Sequence, residues 1–377
     1  MRPRLKAVAW QRLGDGQLRL VRDVRDQLIV DDPGGVVTRL LELLRDGRRT
    51  PAELADALGL PADDVSDAIE LFDEYGLLED ADRLGRLTPA QQERHFSNLA
   101  FLESFATLRA SREDLLDRLR SAHVLVLGTG GLNSNTLPHL CGLGVGRLTL
   151  VDHDNVEARN FARQYLYAWD DVGRPKVERA AVWVRRFDPA IDVATVTAEI
   201  DGEPAVRELI GRAAPDIVMS GVDSPVEIDQ WVNAACVSQS VPYVRAGMWV
   251  TQGIVWSVAP GRSACWQCAV PGEQARLSAE APEERDAVRL HRSLPRRNRG
   301  IGPIAGLLGA LAAFEVLRYL TQFEPPAYAG RPLRIDFAAE CSMRPGAWTR
   351  DPACAVCSAD GEAVAAPPVP QLIGEGR

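Results

Sequence analysis

The chain has 377 residues, 25% of them charged, and a formal net charge of −9. Since a domain takes about 100–200 residues, this length predicts roughly two or three domains with a sizeable core. The acidic balance disfavours non-specific nucleic-acid binding, because proteins that bind phosphate backbones usually carry a basic patch. No run of about 18 apolar residues predicts a membrane span. Seven cysteines, an odd number, and an N-terminus without an apolar signal stretch indicate a reducing, cytoplasmic location.

Residues 1–88 predict a small mixed module of the winged-helix type. Its second helix has a clear start signal, because Thr50, Pro51 and Glu53 supply a cap, a first-turn proline and the acid of a capping box. Its third helix carries six acids and no base, so we expect it to bind a protein or peptide rather than DNA. Two strand-like stretches, three helical patterns and a short strand support this interpretation: residues 18–21, 27–30, 36–44, 50–59, 61–76 and 77–78.

Residues 89–120 predict connecting helices, and residues 121–358 alternate strands and helices like a Rossmann-like α/β domain with a mostly parallel sheet. Residues 271–302 are polar and predict a mobile loop, in which residues 289–299 hold five arginines and no acid. Residues 359–377, rich in Ala, Pro and Gly, predict a flexible tail. In the connecting helices we expect one apolar stripe, formed by Phe96, Leu99, Phe101, Leu102 and Phe105.

A glycine-rich turn follows the first predicted strand of the α/β domain, His123–Leu127, and precedes a helical stretch over residues 132–141. Glycines let a backbone turn tightly and approach phosphate groups at the start of a helix. The turn therefore predicts a nucleotide site that includes Gly128, Gly130 and Gly131. A purely structural turn between a strand and a helix is the alternative interpretation.

The next predicted strand, Arg147–Val151, ends at Asp152, whose carboxylate can hold a ribose hydroxyl. Two observations disfavour NAD as the nucleotide. Asn133 stands where the dinucleotide pattern has its third glycine, and an Asn, an Arg and a Lys cluster after Asp152. A triphosphate needs such cations, because its charge must be neutralised during attack on the α-phosphate. Taken singly, each cation is also compatible with an ordinary surface residue.

Together these motifs resemble the ubiquitin-activating-enzyme-like adenylyltransferases of the ThiF and MoeB type, over about residues 90–358. The resemblance rests on the glycine turn, the pattern Asn160-x-x-Arg163-Gln164, the segment that ends at Lys176, and two cysteine pairs. It implies that ATP is the nucleotide and that Asp152 holds its ribose. It also implies that Asn160, Arg163 and Lys176 contact the phosphates, while Gln164 and the three glycines complete the ATP site.

The resemblance further implies that Asp223 binds Mg²⁺ and that Arg94 is the candidate for an arginine that reaches the γ-phosphate. In many members an acid stands three positions before this aspartate; here it is Ser220, so the metal has fewer charged ligands. An apolar helix over residues 304–319 corresponds to a helix that helps the family form homodimers. We expect Lys176, one of only two lysines, to reach the surface and to contribute little to folding.

Two cysteine pairs, Cys265-x-x-Cys268 and Cys354-x-x-Cys357, form a second motif. Each pair places two thiolates on one tight turn, and two such pairs predict a tetrahedral four-cysteine site for Zn²⁺. No coordination position is left open, so we expect the zinc to be structural. Disulfide bonds are the alternative, but they need an oxidising compartment.

The remaining three cysteines, Cys141, Cys236 and Cys341, are predicted to be small core residues. Many members of the family carry a cysteine in the crossover loop that takes the acyl group, yet residues 269–340 contain none. We therefore expect no covalent thioester on this chain.

The N-terminal module extends the resemblance to the microcin-activating adenylyltransferases, in which a small winged-helix module grips a leader peptide as an added strand. The implied partners are a precursor peptide and a second copy of the chain, with no nucleic acid and no membrane. The predicted reaction is adenylation of a peptide C-terminal carboxylate, release of pyrophosphate and direct transfer to a nucleophile. Two alternatives stay open: a non-catalytic scaffold that only binds the leader, and an activator of a ubiquitin-like sulfur carrier.

Overall fold

The computed structural model describes residues 1–23, 26–271, 290 and 300–358, and it divides the chain into two compact units, Met1–Arg118 and Leu119–Arg377. Most of the predicted loop over residues 271–302 lies outside the described residues, including all but one residue of the arginine-rich stretch 289–299. The predicted tail, residues 359–377, lies outside them as well.

The first unit combines two small sheets with helices. Its elements, in chain order, are β1 (Pro3–Leu5), β2 (Ala9–Arg12), β3 (Gln17–Asp23), β4 (Asp26–Asp31), α1 (Val36–Leu44), α2 (Pro51–Leu58), α3 (Ala62–Glu74), β5 (Leu78–Asp80), α4 (Pro89–Arg94) and α5 (Phe96–Glu103). The next helix, α6 (Arg112–Ser121), begins in the first unit and ends in the second. One sheet pairs β1 with β5 antiparallel. The other is antiparallel and has the strand order β2-β3-β4.

The three helices predicted in the N-terminal module are confirmed, and α2 has the predicted capping box. The Thr50 amide donates to Glu53 Oε2 over 2.8 Å, and the Glu53 amide donates to Thr50 Oγ1 over 3.4 Å. The sequence did not predict β1 and β2, which are only three and four residues long. The winged-helix assignment of residues 1–88 and its boundary at residue 88 stay predictions.

The predicted apolar stripe of the connecting helices is wrong. In α5, Leu102 is buried, whereas Phe96 is 72% exposed and Phe101 is 38% exposed. Six residues turn an α-helix through about 600°, which leaves Phe96 and Leu102 on different faces. One face of α5 therefore cannot bury both side chains.

The second unit is built on an eight-stranded sheet with the order β13-β12-β11-β10-β9-β6-β7-β8. Its elements are β6 (His123–Leu127), α7 (Asn133–Leu143), β7 (Arg147–Val151), α8 (Lys176–Phe187), β8 (Asp192–Val196), α9 (Glu203–Ala213), β9 (Ile217–Ser220), α10 (Ile228–Ser238), β10 (Tyr243–Trp249), β11 (Gln252–Val258), α11 (Gly302–Thr321), β12 (Leu333–Asp336) and β13 (Ser342–Pro345). The strands β6 to β10 run parallel, and β11 to β13 add antiparallel pairs. The predicted α/β fold with a mostly parallel sheet is confirmed.

The sheet has a hydrophobic core on each face, because successive side chains of a strand point to opposite sides. Val124 and Val126 of β6 belong to the core that also contains residues of α7, α8 and α11. Leu125 and Leu127 belong to the core that contains residues of α9 and α10. Helices on both faces are typical of a doubly wound α/β fold.

One helix in the described residues, α11, is long and apolar enough by length and composition to cross a membrane. It packs in the core instead, where Leu308 and Ala312 are fully buried. A Cβ on Gly309 would lie 3.1 Å from Asn135 Cβ, so this glycine lets α11 approach α7 closely. In α11, 56% of the most apolar stretch of 18 residues is buried, which is typical of a core helix.

The three cysteines outside the paired motifs lie in two kinds of environment. Cys141 in α7 and Cys236 in α10 are fully buried, as predicted. Cys341 is exposed, which corrects the prediction that it belongs to the core. It lies in the turn between β12 and β13, where Glu340 and Cys341 both have a positive φ. A side chain in such a turn points away from the sheet and its core.

Candidate functional site

Three parallel strands end side by side at the carboxyl edge of the large sheet. Leu127 of β6 lies opposite Val151 of β7 and opposite Ser220 of β9. After β6 the chain passes to α7 on one face, and after β9 it passes to α10 on the other face. Such a switch point leaves a crevice beyond the strand ends, where doubly wound folds bind ligands.

The predicted glycine turn lies at this crevice. Gly128 has a φ of +77°, which favours glycine, and a Cβ on it would lie 3.0 Å from Val222 Cγ2. A Cβ on Gly131 would lie 2.7 Å from Arg163 Nε. These two glycines therefore let the turn lie against the loop after β9 and against a predicted phosphate-binding arginine.

Asn133 braces the turn in place of the third glycine of the dinucleotide pattern. Its side chain is fully buried, and its Nδ2 donates to Leu127 O over 3.0 Å and to Gly128 O over 2.7 Å. A Cβ on Gly221 would lie 2.6 Å from Asn133 Nδ2, so that glycine leaves room for the amide. The departure from the dinucleotide pattern thus has a structural role.

Asp152 is fixed by hydrogen bonds on both of its carboxylate oxygens. Oδ2 accepts from the Thr129 amide over 2.7 Å and from Thr129 Oγ1 over 3.0 Å. Oδ1 accepts from the Asp154 amide over 2.9 Å. The buried Tyr167 hydroxyl in turn donates to Thr129 O over 2.7 Å. Sequence reasoning did not single out Thr129, Asp154 or Tyr167, although the acid pair in Asp152-His-Asp154 was a usable signal.

A short 3₁₀ helix, Ala158–Ala162, holds the first predicted phosphate contact. Asn160 is buried, and its Oδ1 accepts from the Glu157 amide over 2.9 Å. Gln164 is also buried, and its Nε2 lies 3.7 Å from the position of a Cβ on Gly130. The structure therefore brings Gln164 beside the glycine turn and holds Asn160 in the loop after β7.

Arg163 and Asp223, which follow β7 and β9, lie close enough to interact electrostatically. Burial lowers the pKa of Arg163, and the charge of Asp223 opposes that shift. Asp223 is exposed, whereas Ser220 at the end of β9 is fully buried. One exposed carboxylate beside an arginine that is predicted to bind phosphate suits Mg²⁺, which usually takes one or two protein carboxylates and completes its shell with phosphates and water.

Lys176 is buried, which corrects the expectation that it reaches the surface. It is the first residue of α8, its side chain is 6% exposed, and its Nζ donates to Asp154 Oδ2 over 2.7 Å. Its amide donates to Asp154 O over 2.9 Å, next to a β-bridge between Asn155 and Pro175. This backbone pairing draws the start of α8 onto the loop after β7 and so covers the lysine.

Arg94 is the one predicted ATP contact that belongs to the first unit. It is an exposed residue at the end of α4. Its contact with a γ-phosphate stays a prediction, whereas the other predicted contacts all lie in the second unit.

Three buried polar atoms at the crevice have no hydrogen-bond partner among the described residues: Asn133 Oδ1, Gln164 Oε1 and Ser220 Oγ. Buried polar atoms in proteins are usually paired, so these three atoms are candidates to pair with a bound ligand. The ribose hydroxyls and the adenine amino group of ATP are donors that can serve such acceptors. The chemistry of the crevice therefore fits ATP.

Arg245 is a second buried cation at this edge that sequence reasoning missed. It lies opposite Ser220 in the pairing of β9 with β10 and is 3% exposed. Its Nε donates to Asp229 Oδ1 over 2.6 Å, which ties the first turn of α10 to the sheet. An arginine within the otherwise apolar stretch of β10 was the signal for it, since buried charges are usually paired.

The four paired cysteines come together as predicted, with all four Sγ atoms within 4.8 Å of one another. Cys265 Sγ lies 3.8 Å from Cys268 Sγ and 3.7 Å from Cys354 Sγ, and Cys268 Sγ lies 3.4 Å from Cys357 Sγ. A tetrahedron with Zn–S bonds of about 2.3 Å has S–S edges of roughly 3.8 Å. The cluster therefore fits Zn²⁺. Asn233 Nδ2 donates to Cys265 Sγ over 3.6 Å and helps to orient this thiol.

Comparison with known sequences agrees with this geometry. The ThiF family profile matches residues 103–356. The chain belongs to the ThiF family. Its relatives in that family include the sulfur carrier protein ThiS adenylyltransferase of Escherichia coli, 30% identical over 260 residues, with 66% of this chain and 94% of that protein covered. They also include the molybdopterin-synthase adenylyltransferase of Salmonella typhimurium, 31% identical over 270 residues, with 69% of this chain and 99% of that protein covered.

Solved structures with the same fold as this ThiF-family chain include E. coli MccB with ATP, at a TM-score of 0.72 and 21% identity. That likeness covers 95% of this chain and 100% of MccB. E. coli MccB with AMPCPP and MccA gives a TM-score of 0.73. The structural likeness establishes the fold, and the named relatives establish the chemistry: the chain is an ATP-dependent adenylyltransferase.

Proposed function

We propose that this chain adenylates the C-terminal carboxylate of a precursor peptide during maturation of a ribosomally made, modified peptide. The extent of the two likenesses carries the proposal. The sulfur-carrier and molybdopterin-synthase relatives match nearly their whole length yet cover only about two thirds of this chain, and the family match begins at residue 103. The likeness to MccB covers 95% of this chain, and MccB has been crystallised with MccA.

In the proposed reaction, a carboxylate oxygen of the peptide attacks the α-phosphorus of ATP in line. A new P–O bond forms, the bond to the bridging oxygen breaks, and pyrophosphate leaves with the electron pair. A C-terminal carboxyl group has a pKa of about 3.5 and is ionised at pH 7, so this step needs no general base. Asp152 would hold the ribose, while Arg163 and Lys176 would stabilise the charge that develops on the phosphates.

Two metals complete the proposal. Asp223 would hold Mg²⁺, which when bound neutralises charge on the phosphates. The four paired cysteines would hold Zn²⁺ in a closed, structural site. Since residues 269–340 contain no cysteine, the acyl-adenylate would pass directly to a nucleophile rather than to a thiol of that loop.

We propose that residues 1–88 bind the leader of the peptide and that residues 89–120 connect them to the adenylation domain, residues 121–358. The strands β2 and β4 are the outer strands of their sheet, and an outer strand can accept a peptide as an added strand. On α3, Leu71 is 42% exposed. Tyr75 lies one helical turn after Leu71, directly behind the end of the helix, and is 48% exposed. A second copy of the chain is the other proposed partner, through the region of α11.

Exchange of labelled pyrophosphate into ATP tests the proposal. The full chain is incubated with ATP, labelled pyrophosphate and candidate peptides, each also made as its C-terminal amide. We expect exchange with the cognate carboxylate and none with the matched amide. A lack of exchange with every carboxylate, together with ATP binding weaker than millimolar, would instead support the non-catalytic scaffold.

Activation of a ubiquitin-like sulfur carrier is the second candidate, and the identity to the ThiS adenylyltransferase favours it. The same assay distinguishes it when a carrier protein that ends in Gly-Gly replaces the peptide. Exchange with the carrier, but not with short peptides, would replace the first proposal by the second.

A further inference from the structure

A chain of polar contacts joins the proposed ribose site to the proposed phosphate site, and Asp154 lies at its centre. The Asp154 amide donates to Asp152 Oδ1 over 2.9 Å, and Asp154 Oδ2 accepts from Lys176 Nζ over 2.7 Å. Thr129 extends the chain to the glycine turn through its two hydrogen bonds to Asp152 Oδ2. Asp154 thus contacts both the side chain that the proposed function assigns to the ribose and the side chain that it assigns to the phosphates.

The two partners of this ion pair differ strongly in exposure. The Lys176 side chain is 6% exposed, whereas the Asp154 side chain is 54% exposed. Burial raises the pKa of Asp154, but the hydrogen bond and charge of Lys176 outweigh it, so the pKa lies below its usual value. The buried ammonium therefore depends on this carboxylate for a partner that water would supply at the surface.

An ammonium group has three N–H donors. One donor of Lys176 Nζ is used by Asp154, which leaves two donors for phosphate oxygens without breaking the ion pair. The carboxylate can therefore stay on the lysine while the lysine contacts ATP.

We infer that Asp154 is a positioning residue for adenylation: it aims the Lys176 ammonium and links it to Asp152, without itself touching ATP. The inference rests on the proposed function, because it takes Lys176 as a phosphate contact. It goes beyond that function by giving a role to an acid that neither the ribose nor the phosphates require.

Two substitutions remove different parts of the contact. Asp154→Ala removes the carboxylate, and Asp154→Asn keeps its shape but not its charge. Glu178→Gln is the matched control, because it also removes one negative charge near the start of α8 but affects an exposed side chain. Removing a partner that orients a metal ligand typically costs 10–100-fold, and by analogy we expect Asp154→Ala to lower kcat for pyrophosphate exchange by about that factor. Asp154→Asn should lose less, and Glu178→Gln should stay within about twofold of wild type.

A double-mutant cycle with Lys176→Met separates positioning from a general structural role. In the Lys176→Met background, Asp154→Ala should lower kcat by less than about threefold, because the group that it positions is gone. The dissociation constant of ATP, measured by calorimetry, should change less than kcat in Asp154→Ala. A merely structural role would lower kcat to the same extent in both backgrounds.

Near wild-type exchange by Asp154→Ala, or full additivity with Lys176→Met, would overturn the inference and leave the proposed function intact. If Asp154→Ala does not fold, Asp154→Asn carries the same cycle. A wild-type chain that exchanges with no carboxylate substrate would contradict the proposed function and the inference together.

Discussion

The chain has two lysines, one in each unit, and they are held in different ways. Lys6 is 6% exposed, and its Nζ donates to Ala106 O over 2.6 Å. Burial, with a smaller contribution from Arg22, lowers the pKa of Lys6 to about 8. Lys176 is similarly buried, but it donates to the carboxylate of Asp154 at the edge of the crevice. The first lysine ties two segments of its unit together, whereas the second presents a paired charge at the proposed ATP site.

The wider surroundings of the two lysines differ in the same sense. Around Lys176, predicted ATP contacts converge on one edge of the sheet, and three buried polar atoms there have no partner among the described residues. In the first unit, Leu71 and Tyr75 are exposed apolar side chains at and just after α3, and the second unit also exposes Tyr165 and Trp169. The ThiF family match covers residues 103–356, so the adenylation chemistry lies mainly in the second unit, and recognition of the peptide is the role that we propose for the first.

Loss of zinc should give the largest difference in stability between the two units. Cys265→Ser should abolish zinc binding and cooperative unfolding of the second unit, because structural zinc contributes about 10–16 kcal/mol in small folds. Metal analysis and calorimetry of the full chain measure this, and the unfolding transition of the first unit should remain. Cys341→Ser is the matched control, since Cys341 is exposed. Full zinc content in Cys265→Ser would contradict the assignment of the four-cysteine site.

Exchanging each lysine for methionine tests whether only one of them serves catalysis. Lys176→Met should lower kcat for pyrophosphate exchange by about 10²–10³, the cost of removing one donor to a developing negative charge. It should also cost about 1–2 kcal/mol of stability, because a charged hydrogen bond is lost. Lys6→Met should keep wild-type exchange. Equal losses in both variants would remove the distinction between the two lysines.

The pH dependence of stability should report the titration of Lys6. The pKa of Lys6 is about 8 in the folded chain and 10.5 in its unshifted state, so between these values the unfolded chain binds more protons. Stability therefore rises with pH in this window, and below about pH 8 the full cost of burying the charged amine applies. Between pH 8 and pH 10 the free energy of unfolding of the first unit should increase by at most about 3 kcal/mol. Its thermal midpoint should therefore rise over the same range. The same slope in Lys6→Met would contradict this assignment.

Local signals explain what the sequence predicted well. The start of α2 is set by a cap and a proline within the helix's own first turn. The four-cysteine cluster is set by two short spacings. The burial of Lys176 and the exposure of Phe96 escaped prediction, because they depend on which distant segment covers a side chain. Arg245 escaped for the same reason, since its partner Asp229 comes from the helix before its strand.

Whether the first unit recognises the peptide that the second unit adenylates is tested most directly by measuring kcat and the peptide KM together in pyrophosphate exchange. The double variant Leu71→Ser/Tyr75→Ser should raise the peptide KM about tenfold and leave kcat within about twofold, because it removes contact area and no reacting group. Lys176→Met should instead lower kcat and leave the peptide KM nearly unchanged. Val36→Ser, which changes a side chain of similar exposure in the same unit (43%), should match wild type. A lower kcat with an unchanged KM in the double variant would contradict the division between the two units.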